Sequence, residues 1–206
     1  MEITQDRRID VFCVTESWHD TDSVCLGRLR SSGFNSITAE DLSVNHGGVV
    51  IFSASDVIMK LLTVDQPSTF ELVCVRAVVG QLTAIIVQRP GSAPVQQLFW
   101  DELAAVVEQL ATYQAPAYIA GDFNIHLECP DDPHSVQFRL LVDCYDLMLH
   151  HNAATHHRTL NAVITTEDAG CPEHVDSRSS WRPLDIDQFR SVLSLPSLCQ
   201  SRQVAE

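Results

Sequence analysis

A chain of 206 residues that is 45% hydrophobic is long enough for one α/β domain with a substantial core. Thirteen basic against 27 acidic residues give a formal charge of −14, so the average surface repels phosphate polymers. No run of about 18 apolar residues occurs, and Met1 to Arg8 is charged where a secretory signal turns apolar. Neither a helical membrane span nor export is thus indicated, and the expectation is an intracellular protein, nuclear or cytoplasmic. Seven cysteines without a CxxC pair predict reduced thiols that mostly fill core. With Lys60 the one lysine, binding of nucleic acid requires either a local basic rim, from Arg28, Arg30, Arg89 and Arg139, or divalent cations that offset the carboxylates.

In chain order, Ile9 to Thr15 is a β-branched and aromatic run that predicts a buried strand delivering Glu16 at its carboxyl end. Asp20 or Thr21 caps a helix predicted to run to about Ser31 and to stop at Gly33. Strand-like runs follow at Phe34 to Thr38, Gly48 to Ser53, Val57 to Leu62, Phe70 to Val78 and Leu82 to Gln88. The short Gly, Asp, Pro and Ser breaks between them suit antiparallel hairpins better than βαβ units.

The breaker-rich loop Arg89 to Pro94 precedes a predicted amphipathic helix over Val95 to Tyr113, with Leu98, Leu103, Val106, Val107 and Leu110 on its apolar face. A buried strand, Ala117 to Ala120, leads into Gly121-Asp122-Phe123-Asn124. A third helix is expected over about Ser135 to Cys144, then strands at Leu147 to Leu149 and Leu160 to Thr165. Glu167 to Pro183 shows neither period and reads as loop, and Asp185 to Leu195 as a short helix ended by Pro196.

Two places carry chemistry. In the strand-to-loop turn Gly121 to His126, Asp122 and Asn124 sit two apart and present a carboxylate and an amide to one side. A carboxylate there can orient or deprotonate an attacking water while the amide holds a phosphate. The same residue types also build ordinary turns. Glu16, alone at a strand end, can hold magnesium, which takes oxygen ligands and keeps several waters.

These residues stand in a wider set. Thr15-Glu16-Ser17-Trp18, Gly47-Gly48-Val49-Val50-Ile51-Phe52, Arg89-Pro90, Gly121 to His126, and Thr155-His156 with Thr159 to Thr165 occur in this order. The set resembles the endonuclease domain of non-LTR retrotransposons, in the endonuclease/exonuclease/phosphatase superfamily, across roughly residues 9 to 165. The resemblance implies an α/β fold, a four-layer sandwich with two mixed sheets face to face and helices outside. It also implies phosphodiester cleavage of DNA with magnesium, manganese being the alternative ion. Carried over by position, Glu16 is the metal ligand, Asp122 aligns or activates the water and Asn124 holds phosphate.

The pattern also breaks. Gln88 stands where the family has a tyrosine that helps hold phosphate, and Asn161 where it has the aspartate that orients a catalytic histidine. The Ser-Asp-His block expected after Ile164 is not found, and His174 reads as a solvated loop residue. Trp181 to Arg190 resembles the linker that follows such domains. The expectation is therefore a domain over 1–166 and a degenerate loop and linker-like tail over 167–206, an incomplete copy without the first and last core strands. Missing strands would leave open sheet edges, with marginal stability and self-association. The leading expectation is a weak or lost DNA endonuclease. The alternative is an inactive retrotransposon-derived relic or interaction domain, and a phosphatase of small phosphorylated substrates finds no support in the quoted blocks.

Overall fold

The computed structural model describes residues 11–15, 27, 30, 31, 33–38, 48–78, 83–91, 93–113, 115–151, 161–169, 174–176 and 191–194. The strands are β1 (Val11–Thr15), β2 (Phe34–Thr38), β3 (Val49–Ala54), β4 (Met59–Leu61), β5 (Glu71–Ala77), β6 (Thr83–Gln88), β7 (Ala117–Asp122), β8 (Leu147–His151), β9 (Asn161–Thr166), β10 (His174–Asp176) and β11 (Ser191–Ser194). The two fully described helices are α1 (Gln97–Ala111) and α2 (Pro133–Cys144).

The strands form two sheets, one in the order β10-β11-β1-β3-β2 and the other β4-β5-β6-β7-β9-β8. Every pairing is antiparallel except β6 with β7. Period-two alternation divides the six-stranded sheet into two apolar faces. Leu72, Cys74, Ile85, Val87, Ile119 and Ile164 pack with Phe99, Leu103, Val106 and Leu110 of α1 and Phe138 of α2. The residues between them, Val73, Val75, Ile86, Ala120 and Val163, meet Val11, Cys13, Val49 and Ile51 of the other sheet. The far face of that second sheet is buried as well, with Phe12 stacked on Phe52 at 4.6 Å between ring centroids. The result is the expected α/β sandwich of two sheets face to face, although only the six-stranded sheet is mixed, the five-stranded one being antiparallel throughout, and both fully described helices cover the outer face of the six-stranded sheet.

Two local expectations are corrected. Leu98 is 49% exposed, whereas Phe99 and Trp100 are buried, because the buried stripe of α1 is centred about 140° away from Leu98. The stretch beyond residue 166, expected to be loop, short helix and tail, contributes β10 and β11 instead. Ser191–Ser194 is too short for its alternation to be told from a helical face. Its strand form is set by the partner, since Val192 pairs with Val14 and Leu193 with Cys13. β1 is therefore paired on both sides, by β3 and β11.

One polar clamp fixes α1 to the sheet. Glu102 accepts hydrogen bonds from the backbone N–H and hydroxyl of both Ser68 and Thr69, at 2.5–3.0 Å. Burial alone would favour the neutral acid, but the bonds from Thr69 and Ser68 together outweigh it and hold the carboxyl below its ordinary range. A depressed folded-state pKa stabilises the fold above the unfolded carboxyl pKa of about 4.3, and the contribution fades as pH falls through the folded value. Glu102→Ala is expected to cost about 1–2 kcal/mol at pH 7. Urea unfolding at pH 7 and again below pH 4 checks this, because the gap between mutant and wild type should shrink in acid.

Candidate active site

The site begins at a backbone contact. Gly121 has φ +146, and a Cβ there would lie 1.9 Å from the carbonyl oxygen of Val87 on the adjacent parallel strand. Glycine is thus the residue that lets β7 approach β6 closely enough to bring Asp122 opposite Gln88. Asp122, two residues beyond Ala120 on the face between the sheets, is a carboxylate only 4% exposed.

Register then aligns four polar residues in one row. Glu71 pairs with Gln88, Gln88 with Asp122 and Asp122 with Asn161. At about 4.8 Å between strands the row spans about 14 Å across the end of the sheet. Asp122, Gln88 and Asn161, expected from sequence to belong to one site, therefore occupy neighbouring register positions. Glu71 was not anticipated. It is 6% exposed, and its Oε2 accepts the backbone N–H of Gly48 at 2.7 Å.

The turn after β7 is held by a buried cation. Asn124 has φ +51, its backbone N–H donates to Asp122 Oδ1 at 3.0 Å, and its amide nitrogen donates to the Arg89 carbonyl at 2.6 Å. Arg89 returns the contact. Its guanidinium donates to the carbonyls of Phe123 (2.7 Å), Asn124 (2.7 Å) and Ala93 (2.6 Å) and stands over the Phe99 ring. A Cβ at Gly91 would come 2.9 Å from Asn124 Oδ1, so the loop after β6 is shaped around this amide.

Burial lowers the Arg89 pKa, and the nearby Asp122 charge acts in the opposite direction. Arg89 at 4% exposure is an internal brace, which corrects its expected place on a basic rim. The sequence signal for this role was present in the Pro-Gly loop that follows it. Arg139 is half-buried and donates to Leu127 O, Arg30 is exposed, and Arg28 lies outside the described residues.

Glu16, the expected metal ligand, also lies outside the described residues, as do His156 and His157; its chain neighbour Thr15 is buried and ends β1 opposite Val49. His174 is placed on β10, the outer strand of the five-stranded sheet, and so is a strand residue rather than the expected loop histidine. His150 is on β8, its ring contacting Thr165 Oγ1, and burial lowers its pKa. Among the described residues no three of His, Cys, Asp and Glu converge on one point. Of the two carboxylates in this row, Glu71 is engaged by the Gly48 N–H, which leaves Asp122 as the hard oxygen donor beside the turn, a ligand type that divalent cations take together with waters.

The chain belongs to the Endonuclease/Exonuclease/phosphatase family, which it matches over residues 1–189. Its fold is similar to that of a 3' phosphatase, NExo, from Neisseria bound to product DNA hairpin, with TM-score 0.62 and 17% identity, covering 95% of this chain and 92% of that one. An AP endonuclease from Archaeoglobus fulgidus matches with TM-score 0.58 and 13% identity, over 95% and 92% of the two chains. The endonuclease domain of TRAS1, a telomere-specific non-LTR retrotransposon, matches with TM-score 0.56 and 13% identity, over 79% and 78%. No curated protein sequence matches the chain. No helix among the described residues is long and apolar enough to cross a membrane.

The brace is open to a direct check. Lysine cannot reproduce the planar fork that reaches three carbonyls, so Arg89→Lys is expected to lose at least about 2 kcal/mol. Chemical denaturation of the two proteins measures the difference.

Proposed function

We propose that the chain is a divalent-cation-dependent phosphodiesterase acting on DNA, an endonuclease of the kind carried by non-LTR retrotransposons. The observation that carries this reading is the buried Asp122 carboxylate at the end of β7, fixed by the Asn124 backbone and flanked in register by Gln88 and Asn161. The motif blocks around it, and a fold similar to that of a phosphatase bound to DNA, support it further.

In this reading Asp122 aligns the attacking water and takes its proton. The Asn124 amide has two N–H groups; one is given to the Arg89 carbonyl, and the second donates to a phosphate oxygen. Gln88 holds the register position beside Asp122 on β6, where the resemblance has a phosphate-holding tyrosine, and Asn161 holds the one on β9. Glu16 holds the magnesium or manganese ion, which when bound supplies positive charge against the developing charge of the transition state.

A second reading, an inactive relic or interaction domain, is favoured by two observations. The net charge is −14, and His174 stands on the outer strand of the sheet that does not carry Asp122.

Nicking of supercoiled plasmid by purified protein with magnesium or manganese decides between them. Asp122→Asn keeps an acceptor for the Asn124 N–H and removes the charge, so the turn is retained while the rate falls by about 10²- to 10⁴-fold. Nicking abolished by this variant and by a chelator supports the hydrolase. A folded wild type that does not nick with either ion supports the relic.

A further inference from the structure

The two sheets meet through an apolar core, Val49 and Ile51 against Val73, Val75 and Ile86, and apolar packing is non-directional. A directed bond crosses the same gap at the end that carries the Asp122 row. Glu71, the first residue of β5, sends its carboxylate to the backbone N–H of Gly48, immediately before β3, at 2.7 Å. Gly48 has φ +94, a conformation that side chains rarely adopt, and its N–H meets a carboxylate where the ladder of β3 has not yet begun.

We propose that Glu71 is a positioning residue, a clamp that sets the spacing of the two sheets at the active-site end. Its reach follows from register. Glu71 lies two strands from Asp122, about 10 Å in a sheet. Gly48 is the neighbour of Val49, which pairs with Thr15 at the end of β1. The Glu71–Gly48 bond therefore links the end of the β1–β3 pair to the row containing the water-aligning carboxylate. The catalytic consequence rests on the hydrolase reading above. In that reading the clamp acts on the rate of the bound complex and leaves DNA affinity unchanged.

Two variants separate a clamp from a charge. Glu71→Gln keeps a carbonyl oxygen that accepts the Gly48 N–H, and Glu71→Ala keeps none. Hydrogen exchange of the Gly48 amide and steady-state nicking of plasmid with magnesium are read on both, at temperatures below unfolding. In Glu71→Gln the exchange rate, kcat and the pH profile of kcat should stay within about threefold of wild type. In Glu71→Ala the amide should exchange at least about tenfold faster, and kcat should fall about 10- to 100-fold with KM unchanged.

Loss of kcat in Glu71→Gln equal to that in Glu71→Ala, with Gly48 still protected, overturns the clamp in favour of a role for the charge. Wild-type kcat in Glu71→Ala overturns the catalytic consequence. A wild type that never nicks defeats the hydrolase reading and that consequence together. The clamp itself is still decided by exchange: a Gly48 amide as protected in Glu71→Ala as in wild type overturns it, and selective loss of protection there supports it.

Discussion

The constraint on which the site depends is the burial of the Arg89 guanidinium inside a ring of backbone carbonyls. An ionised group only 4% exposed is tolerable when its donors are met, and here Phe123, Asn124 and Ala93 meet them. The carbonyls of the loop after β6 and of the turn after β7 converge on one cation, so neither segment can move without uncovering a charge. The Asn124 amide closes the circuit by donating back to the Arg89 carbonyl, which fixes the positive φ of that residue. Asp122 inherits its orientation from this network, since its Oδ1 accepts from the backbone of the same braced turn. A residue that looks like a phosphate-binding cation in sequence thus serves geometry, and it holds the turn that carries Asp122 and Asn124.

Much of this architecture was legible because the signals were local. The β-branched runs around Val49, Val73 and Ile85 predicted their strands to within a residue or two. The helix expected over about Ser135 to Cys144 is present and starts two residues earlier, at Pro133, where the Asp132 side chain accepts from the backbone N–H groups of His134 and Ser135. Gly121-Asp122-Phe123-Asn124 after a buried strand placed the turn correctly, and Gln88 and Asn161 were expected beside it. What failed was non-local. β10 and β11 are short segments whose conformation is set by pairing partners far away in the chain, and nothing inside Ser191–Ser194 encodes the neighbour that makes it a strand.

Glu71 was missed for a reason of topology. Looking for a polar residue at the carboxyl end of a buried strand finds Asp122 on β7, which runs parallel to β6. β5 and β9 run the opposite way, so the active-site end of those strands is their beginning, which is where Glu71 and Asn161 stand. In a mixed sheet one spatial row draws on both ends of strands. A sequence rule tuned to one direction therefore recovers only part of it. Gln88 and Asn161 were found through resemblance, and Glu71 had none to reveal it.

The electrostatics follow from the same placements. Of the cations among the described residues, Arg89 is internal, Arg139 ties α2 to the Leu127 carbonyl and Arg76 lies over the Tyr113 ring, leaving Lys60 and Arg30 exposed. Polyanion binding driven by counterion release needs several lysines or arginines against phosphates, and these residues do not supply such a surface. In the proposed reading a bound divalent cation supplies the positive charge that these side chains do not, and reverses the local sign of charge. Under that reading an acidic chain and a phosphodiester substrate are compatible, because the positive charge that the phosphate requires arrives with the ion.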